Sequence, residues 1–205
     1  MTDVIVRDMR AGDVAEALDL LADVAAEGIW LGTEPGFDRH RRGQHWLEGL
    51  ADPMVRTLVL ADPATERLVG QGAVHLARYG VAEIWMNLAA DVRGRGLGGQ
   101  LLDALVDAAR ELGAHKVELQ VWPHNEPAIR LYLSRGFAVE GRIRSHYRRA
   151  SGQVWDAILM GLVLDPDLTD GSHGSGLADA PCLPGSGARD AAEPAQAQAV
   201  GDDEH

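Results

Sequence analysis

The segment Arg93-Gly94-Arg95-Gly96-Leu97-Gly98-Gly99 decides how this 205-residue chain is read. It stands between an apolar strand pattern, about Ala82 to Ala89, and a helix pattern in which Leu101, Leu102, Leu105, Ala108, Ala109 and Leu112 recur at helical spacing. Missing side chains let backbone N–H groups approach an anion, and the start of a helix adds a favourable dipole. That combination is a pyrophosphate cradle. It lacks the Gly-Lys-Ser/Thr ending of a Walker loop and the acidic residue on the next strand that completes a dinucleotide fingerprint. A glycine-rich structural turn has the same composition, so the segment alone leaves both readings open.

Working outward, Val4 to Arg7 reads as a strand, and Asp13 as the cap of a helix carrying Val14, Leu18, Leu21 and Ala25 on one face. A loop around Gly32-Thr33-Glu34-Pro35-Gly36 leads to a helix over about Asp38 to Leu50. Thr57 to Leu60, Leu68 to Leu76 and Ala82 to Ala89 follow as strands joined by tight turns. Beyond the glycine segment, Val117 to Trp122 alternates as a strand, and Pro127 opens a helix containing Ile129, Leu131, Tyr132 and Leu133 that Gly136 closes. Two strands, Phe137 to Tyr147 and Val154 to Val163, flank a turn at Ser151-Gly152. The predicted order is βααβββαβαββ, an α/β fold with a mixed, mostly antiparallel central sheet.

Arg93-x-x-Gly96-x-Gly98, between strand and helix, resembles the acetyl-CoA loop of the GNAT superfamily, the Gcn5-related N-acetyltransferases. Some thirty residues on, Asn125-Glu126-Pro127-Ala128-Ile129-Arg130-Leu131-Tyr132-Leu133-Ser134-Arg135-Gly136-Phe137 resembles that superfamily's second signature, Asn-x-x-Ala-x-x-x-Tyr-x-x-x-Gly-Phe. The likeness runs from about Val4 to Leu164. Its ending resembles the branch of L-amino-acid and phosphinothricin acetyltransferases, and equally the ribosomal-protein N-terminal acetyltransferases.

The resemblance implies acetyl-CoA as co-substrate, with no metal. Backbone N–H groups of Arg93, Gly94, Arg95, Gly96, Leu97, Gly98 and Gly99 would hold the pyrophosphate, with the Arg93 and Arg95 side chains as further phosphate partners. Leu88, Ala89 and Ala90 would pair with the pantetheine amides, and Asn125 would meet the pantetheine or the entrance of the next helix. Tyr132 would stand by the thioester sulfur as the acid, its residue-level alternative being a core aromatic. Glu83, on the strand before the loop, would be the base, directly or through water.

The acceptor pocket of the superfamily implies a substrate site at the first helical pair and the last hairpin. Trp30 offers it an apolar wall and Glu34 a charge for an ammonium group, although a packed Trp30 and a solvated Glu34 read equally from the residues. Arginines in Glu140 to Arg149 either bind a substrate carboxylate or guard an edge strand. The expected function is N-acetylation of a primary amine of a small molecule, an amino acid or related amine. A protein N-terminal or lysine acetyltransferase and a non-catalytic acyl-CoA-binding module are the alternatives. A homodimer is a further expectation from the superfamily.

Composition is compatible with this reading: 46% of residues are hydrophobic, enough for one core. The net charge of -12 is concentrated at one end, with nine acidic residues and a single arginine from Asp165 onward. Residues 1–165 therefore read as one near-neutral catalytic domain and 166–205 as a disordered tail rich in Gly, Ala, Pro and Asp. This balance gives no electrostatic case for nucleic acid. Apolar runs are too short for a membrane span, and Met1 to Arg7 lacks the pattern of a signal peptide, so a cytoplasmic location is expected. Cys182 is the lone cysteine and the histidines are scattered, which leaves no disulfide and no metal motif.

Overall fold

The structure, a computed structural model, describes residues 4–165. The expected tail, Cys182 included, lies outside the described residues. The elements are β1 (Ile5–Asp8), α1 (Val14–Ala26), α2 (Arg39–Gly49), β2 (Val55–Ala61), β3 (Leu68–Leu76), β4 (Val81–Leu88), α3 (Leu97–Glu111), β5 (Lys116–Val121), α4 (Glu126–Ser134), β6 (Ala138–Arg148) and β7 (Val154–Val163). This is the order expected from the sequence. The strands form a seven-stranded sheet, β1-β2-β3-β4-β5-β7-β6, in which only β4 and β5 run parallel.

Alternation along the strands sorts the core into two layers, as a sheet covered on both faces requires. From β2, Leu58 and Leu60 join Leu101, Leu102 and Leu105 of α3, whereas Val59 and Ala61 join Leu18 and Leu21 of α1 and Trp46 of α2. On β4, Ala82 and Ile84 belong to the α3 side and Trp85 packs with the α1–α2 side. Glu83, Trp85 and Asn87 therefore share the face toward α1 and α2.

Local signals held at two helix starts and shifted at a third. Asp38 caps α2 by accepting from the Arg41 N–H at 2.9 Å, and Asn125 caps α4 by accepting from Ala128 N–H at 3.3 Å. Asp13 precedes α1, but its carboxylate turns back to the Arg10 N–H (2.6 Å) and pairs with Arg7 (2.6 Å), so it gives α1 no side-chain cap. Arg7 is the stronger partner because it is a charged fork facing a carboxylate.

The feature that positions everything else is the short reach of the β4–β5 pairing. It runs from Val81–Lys116 to Glu83–Glu118 and stops, although β4 continues to Leu88 and β5 to Val121. β5 remains paired with β7 along its other edge as far as Val121. The two strands part like a fork, leaving the β4 edge beyond Glu83 without a partner strand.

α3 lies close to the sheet because β3 carries glycine where the helix crosses. A Cβ on Gly72 would stand 2.7 Å from the Trp85 carbonyl oxygen and 2.8 Å from Leu105 Cδ1. Gly72→Ala should therefore destabilise the fold by about 1–3 kcal/mol through overpacking, read as a lowered midpoint in urea or thermal unfolding. An unchanged midpoint would show that α3 can lift off the sheet without cost.

Candidate active site

Two cavities meet in the β4–β5 fork. The larger, about 590 Å³, runs from the glycine segment along the end of β4 to α4, with Leu88, Arg93, Gly94, Gly96, Gly98, Gly99, Asn125, Pro127, Ala128 and Tyr132 among its walls. The smaller, about 80 Å³, lies toward α1 and α2 and is lined by Arg42, Trp46, Trp85, Gln120 and Trp122 among others. Trp30, Leu31, Met86, Asn87, Asn125 and Tyr132 line both. Those shared residues mark the junction.

The glycine segment has the geometry of an anion cradle. Gly94 and Gly96 adopt φ of 75° and 83°, in the left-handed region that glycine tolerates, and Gly96 is the residue that caps α3. Within the cap, the first N–H to find a partner is that of Gly99, on the Gly96 carbonyl at 3.0 Å. The N–H groups from Gly94 to Gly98 make no such bond and sit at the positive end of a 15-residue helix. A Cβ added at Gly94 or Gly96 would meet nothing within 4 Å.

Arg93 does something other than expected. Its guanidinium grips Glu27 through both nitrogens (2.7 and 2.6 Å), donates to the Leu88 carbonyl (3.1 and 2.9 Å) and lies 5.8 Å from the centre of the Trp30 ring. Trp30 in turn donates its indole N–H to Glu27 at 2.5 Å, and the Glu27 carboxyl is held below its ordinary pKa chiefly by Arg93. Arg93 thus fastens the end of α1 to the end of β4. The Leu88 carbonyl is occupied by that grip, and Ala89 N–H is committed to Val69 O at 2.9 Å. Ala90 accepts from Arg93 N–H in the turn, and Arg95 is exposed and makes no ion pair. Leu97 is partly buried at the first position of α3.

Tyr132 is 8% exposed, with its ring 5.7 Å from that of Phe137, and it lines both cavities at the junction. Burial pushes its phenol up to about 12, so the hydroxyl keeps its proton across the neutral range. Glu83 stands on the face toward α1 and α2 but does not line either cavity. It is four residues below Asn87 on β4, about 13 Å along the strand, where β4 and β5 are still joined. Its carboxyl lies above the ordinary value because it is buried and because Glu118 faces it across the pair; His75, opposite on β3, partly offsets both.

A roof closes the smaller cavity. Arg149, 6% exposed, donates to the carbonyls of Leu31 (2.7 Å) and Gly28 (3.2 Å) and pairs with Glu34 at 2.9 Å. Glu34 also accepts from Ala150 N–H (3.1 Å), Tyr147 donates its hydroxyl to Gly32 O, and His124 meets Ile29 O at 2.7 Å. The α1–α2 loop is thereby tied to the β6–β7 hairpin, with Arg149 over Trp155 (4.5 Å) and Trp122 against Tyr147 and Trp155 (5.5 Å each). Glu34 is engaged in the latch and is not a wall of the cavity; Trp30 is a wall. Of the hairpin arginines, Arg149 holds the loop and Arg142 pairs with Asp156 at 2.7 Å.

Sequence reasoning passed over two residues of the junction and the smaller cavity. Asn87 is 6% exposed, and neither its oxygen nor its nitrogen has a hydrogen-bond partner. A polar side chain among the buried residues of a central strand was the available signal. Arg42 sits in the run Arg39-His40-Arg41-Arg42, which reads as a solvated basic helix end. Among the described residues there is no group of His, Cys, Asp or Glu that could hold a metal, and no helix long and apolar enough to cross a membrane.

The chain resembles known proteins over most of its length. It is 29% identical over 165 residues to the L-methionine sulfoximine/L-methionine sulfone acetyltransferase of Pseudomonas paraeruginosa, covering 78% of this chain and 95% of that one. The structure of yncA from Salmonella typhimurium, a putative acetyltransferase solved with its cofactor acetyl-CoA, superposes with a TM-score of 0.71 at 23% identity, over 80% of this chain and 95% of that one. The ribosomal-protein-alanine N-acetyltransferase of Brucella melitensis superposes with a TM-score of 0.70 at 24% identity, over 78% and 99%. With the model of the acetyltransferase (GNAT) family matching residues 16–137, across both the glycine cradle and the Tyr132 helix, the chain belongs to that family and is an acyltransferase with acetyl-CoA as donor.

Proposed function

We propose that this acetyltransferase acts on the primary amine of a small molecule, an amino acid or related amine. The observation that carries this reading is the roofed cavity on the acceptor side of the junction. Its 80 Å³ amounts to roughly five to eight times the ~10–15 Å³ one water needs, the scale of a small amino acid and far below that of a peptide. A protein substrate calls for an open groove, whereas here the loop over the site is latched by Arg149 and Tyr147. The relative from Pseudomonas paraeruginosa, named for two methionine derivatives, is in line with it.

In this reading the N–H groups of Gly94 to Gly98 receive the pyrophosphate, and the open β4 edge up to Leu88 receives the pantetheine arm, whose thioester then lies at the junction by Tyr132 and Asn125. The neutral amine attacks the thioester carbonyl, a C–N bond forms, and collapse of the tetrahedral intermediate breaks the C–S bond. The proton lost by nitrogen passes through water to Glu83, which lies about 13 Å along β4 from Asn87. Tyr132 donates to the departing sulfur. With its pKa raised it acts first as a hydrogen-bond donor to the developing thiolate.

Thiol release from acetyl-CoA across a panel of amino acids, carboxylate-free amines and short peptides tests the function. Turnover with free amines and none with peptides is expected; peptides alone as acceptors would replace this reading with a protein acetyltransferase, and tight CoA binding without turnover would make the chain a binding module.

Tyr132→Phe should lower kcat roughly 10²-fold or more while the KM for acetyl-CoA stays within about twofold. Loss of donor affinity at an unchanged rate would make Tyr132 a binding residue. Glu83 gives a pH signature. A base whose pKa is raised above 4.5 loses activity as pH falls through that raised value, and the acceptor amine, which must also lose its proton to attack, adds its own loss. The acid side of log kcat/KM against pH should reach a slope of two in the wild type and of one in Glu83→Gln; equal slopes would remove Glu83 from the proton path.

A further inference from the structure

The smaller cavity contains an ionic imbalance. Its lining includes no aspartate, glutamate, lysine or histidine; Arg42 and the phenol of Tyr132 are its only ionisable side chains. Arg42 projects from the middle of α2, one turn before Trp46, which stacks on Trp85 at 5.9 Å with planes 17° apart. The guanidinium makes no ion pair and no hydrogen bond among the described residues. Its recorded neighbour is the ring of Phe37, 5.9 Å from the guanidinium carbon. Burial, and then the like charge of Arg41, lower its pKa, with no carboxylate acting in the other direction.

A guanidinium drawn partly out of water without an anion loses hydration and gains nothing in return. Elsewhere in the fold such charges are matched: Arg93 by Glu27, Arg149 by Glu34, Arg7 by Asp13. Arg41, Arg95, Arg144 and Arg148 make no ion pair either, but they are exposed. Arg42 is different in being partly buried in the wall of the smaller cavity. Its planar fork suits one ligand group above others, a carboxylate held through two parallel hydrogen bonds.

The opposite end of the cavity complements this. Asn87, buried and with both amide atoms unpartnered, lies at the junction with the donor groove, beside Tyr132. An amine there can donate to the Asn87 oxygen while remaining neutral, because no carboxylate lines the cavity to hold it as ammonium. The indoles of Trp46, Trp85 and Trp122 line the same cavity.

Resting on the small-molecule reading above, we infer that Arg42 is the carboxylate receptor of the acceptor site, so that the acceptor is an amine carrying a carboxylate, held by Arg42 at one end and presented at Asn87 by the other. Arg42 thereby sets specificity and takes no part in the bond changes.

The experiment compares free L-leucine, L-methionine and L-phenylalanine with their carboxamides as acceptors, in the wild type, Arg42→Gln and Arg42→Lys. Free acids should be preferred by the wild type. Arg42→Gln should raise their KM roughly ten- to a hundredfold, the worth of a lost charge-assisted contact, with kcat and the KM for acetyl-CoA nearly unchanged. Arg42→Lys should recover part of the loss, and the carboxamides should respond to neither change. Quenching of tryptophan fluorescence by each ligand in the CoA complex reads binding where turnover is absent. Carboxamides accepted as well as acids, an equal loss for both in Arg42→Gln, or no binding of the acids would each overturn the assignment. In the first two cases small-molecule acetylation itself would stand; turnover with peptides alone would instead remove the reading on which it rests.

Discussion

The structure depends on β4 and β5 parting company after Glu83 and Glu118. Sheets do not normally leave neighbouring strands unpaired in mid-fold, because each open edge exposes N–H and C=O groups that need partners. Here β5 keeps β7 and β4 keeps β3 on their outer edges, so the fork costs hydrogen bonds only along its inside. Those inner edges are where an amide-bearing arm can add as if it were a strand. One interruption in pairing thus creates the larger groove below the glycine segment, and behind it the smaller cavity. It also brings Tyr132 of α4 and Asn87 of β4 to one point from opposite sides.

The same fork explains why Glu83 stands apart from the junction of the two cavities. Glu83 belongs to the last paired position, where a second glutamate faces it across the parallel register and histidine faces it across the antiparallel one. Placed there, the carboxylate is buried enough to hold its proton more tightly than an ordinary glutamate, which moves it toward the range useful for a base. In the proposed mechanism, a base at the foot of the fork and a donor at its open end keep the two proton movements apart. An amine can then lose its proton on one side while sulfur is met by the phenol on the other.

The fold and the identity of the acyl donor were legible in the sequence because both rest on local signals. Glycine at positive φ, caps at Asp38 and Asn125, and alternation along β2 and β5 are each encoded within a few residues. What was not legible depends on partners far away in the chain. Arg93 lies in the glycine segment, yet its counter-ion is Glu27, 66 residues earlier. Glu34 offers a charge on the loop over the site, yet Arg149, more than a hundred residues later, takes it. Asp13 follows the capping rule until Arg7 outcompetes the helix. In each case a long-range or stronger ionic partner overrode a correct local preference.

Arginine shows the principle most directly. In the sequence, Arg42, Arg93, Arg142 and Arg149 are four basic residues near elements of the site, with nothing to rank them. The hairpin arginines were the natural candidates for a substrate carboxylate, since the last hairpin frames the pocket. Counter-ions reverse that order. A guanidinium already gripping a carboxylate has little left to offer a second one, and breaking its pair leaves a charge stranded. Arg93, Arg142 and Arg149 are satisfied from within the chain, and what they do is hold α1, β6 and the roof in place. Among the described residues, the ionic interactions that build the cavity leave out the one arginine that lines it, and the proposed recognition of an anion by Arg42 rests on the same electrostatics that assembled the walls.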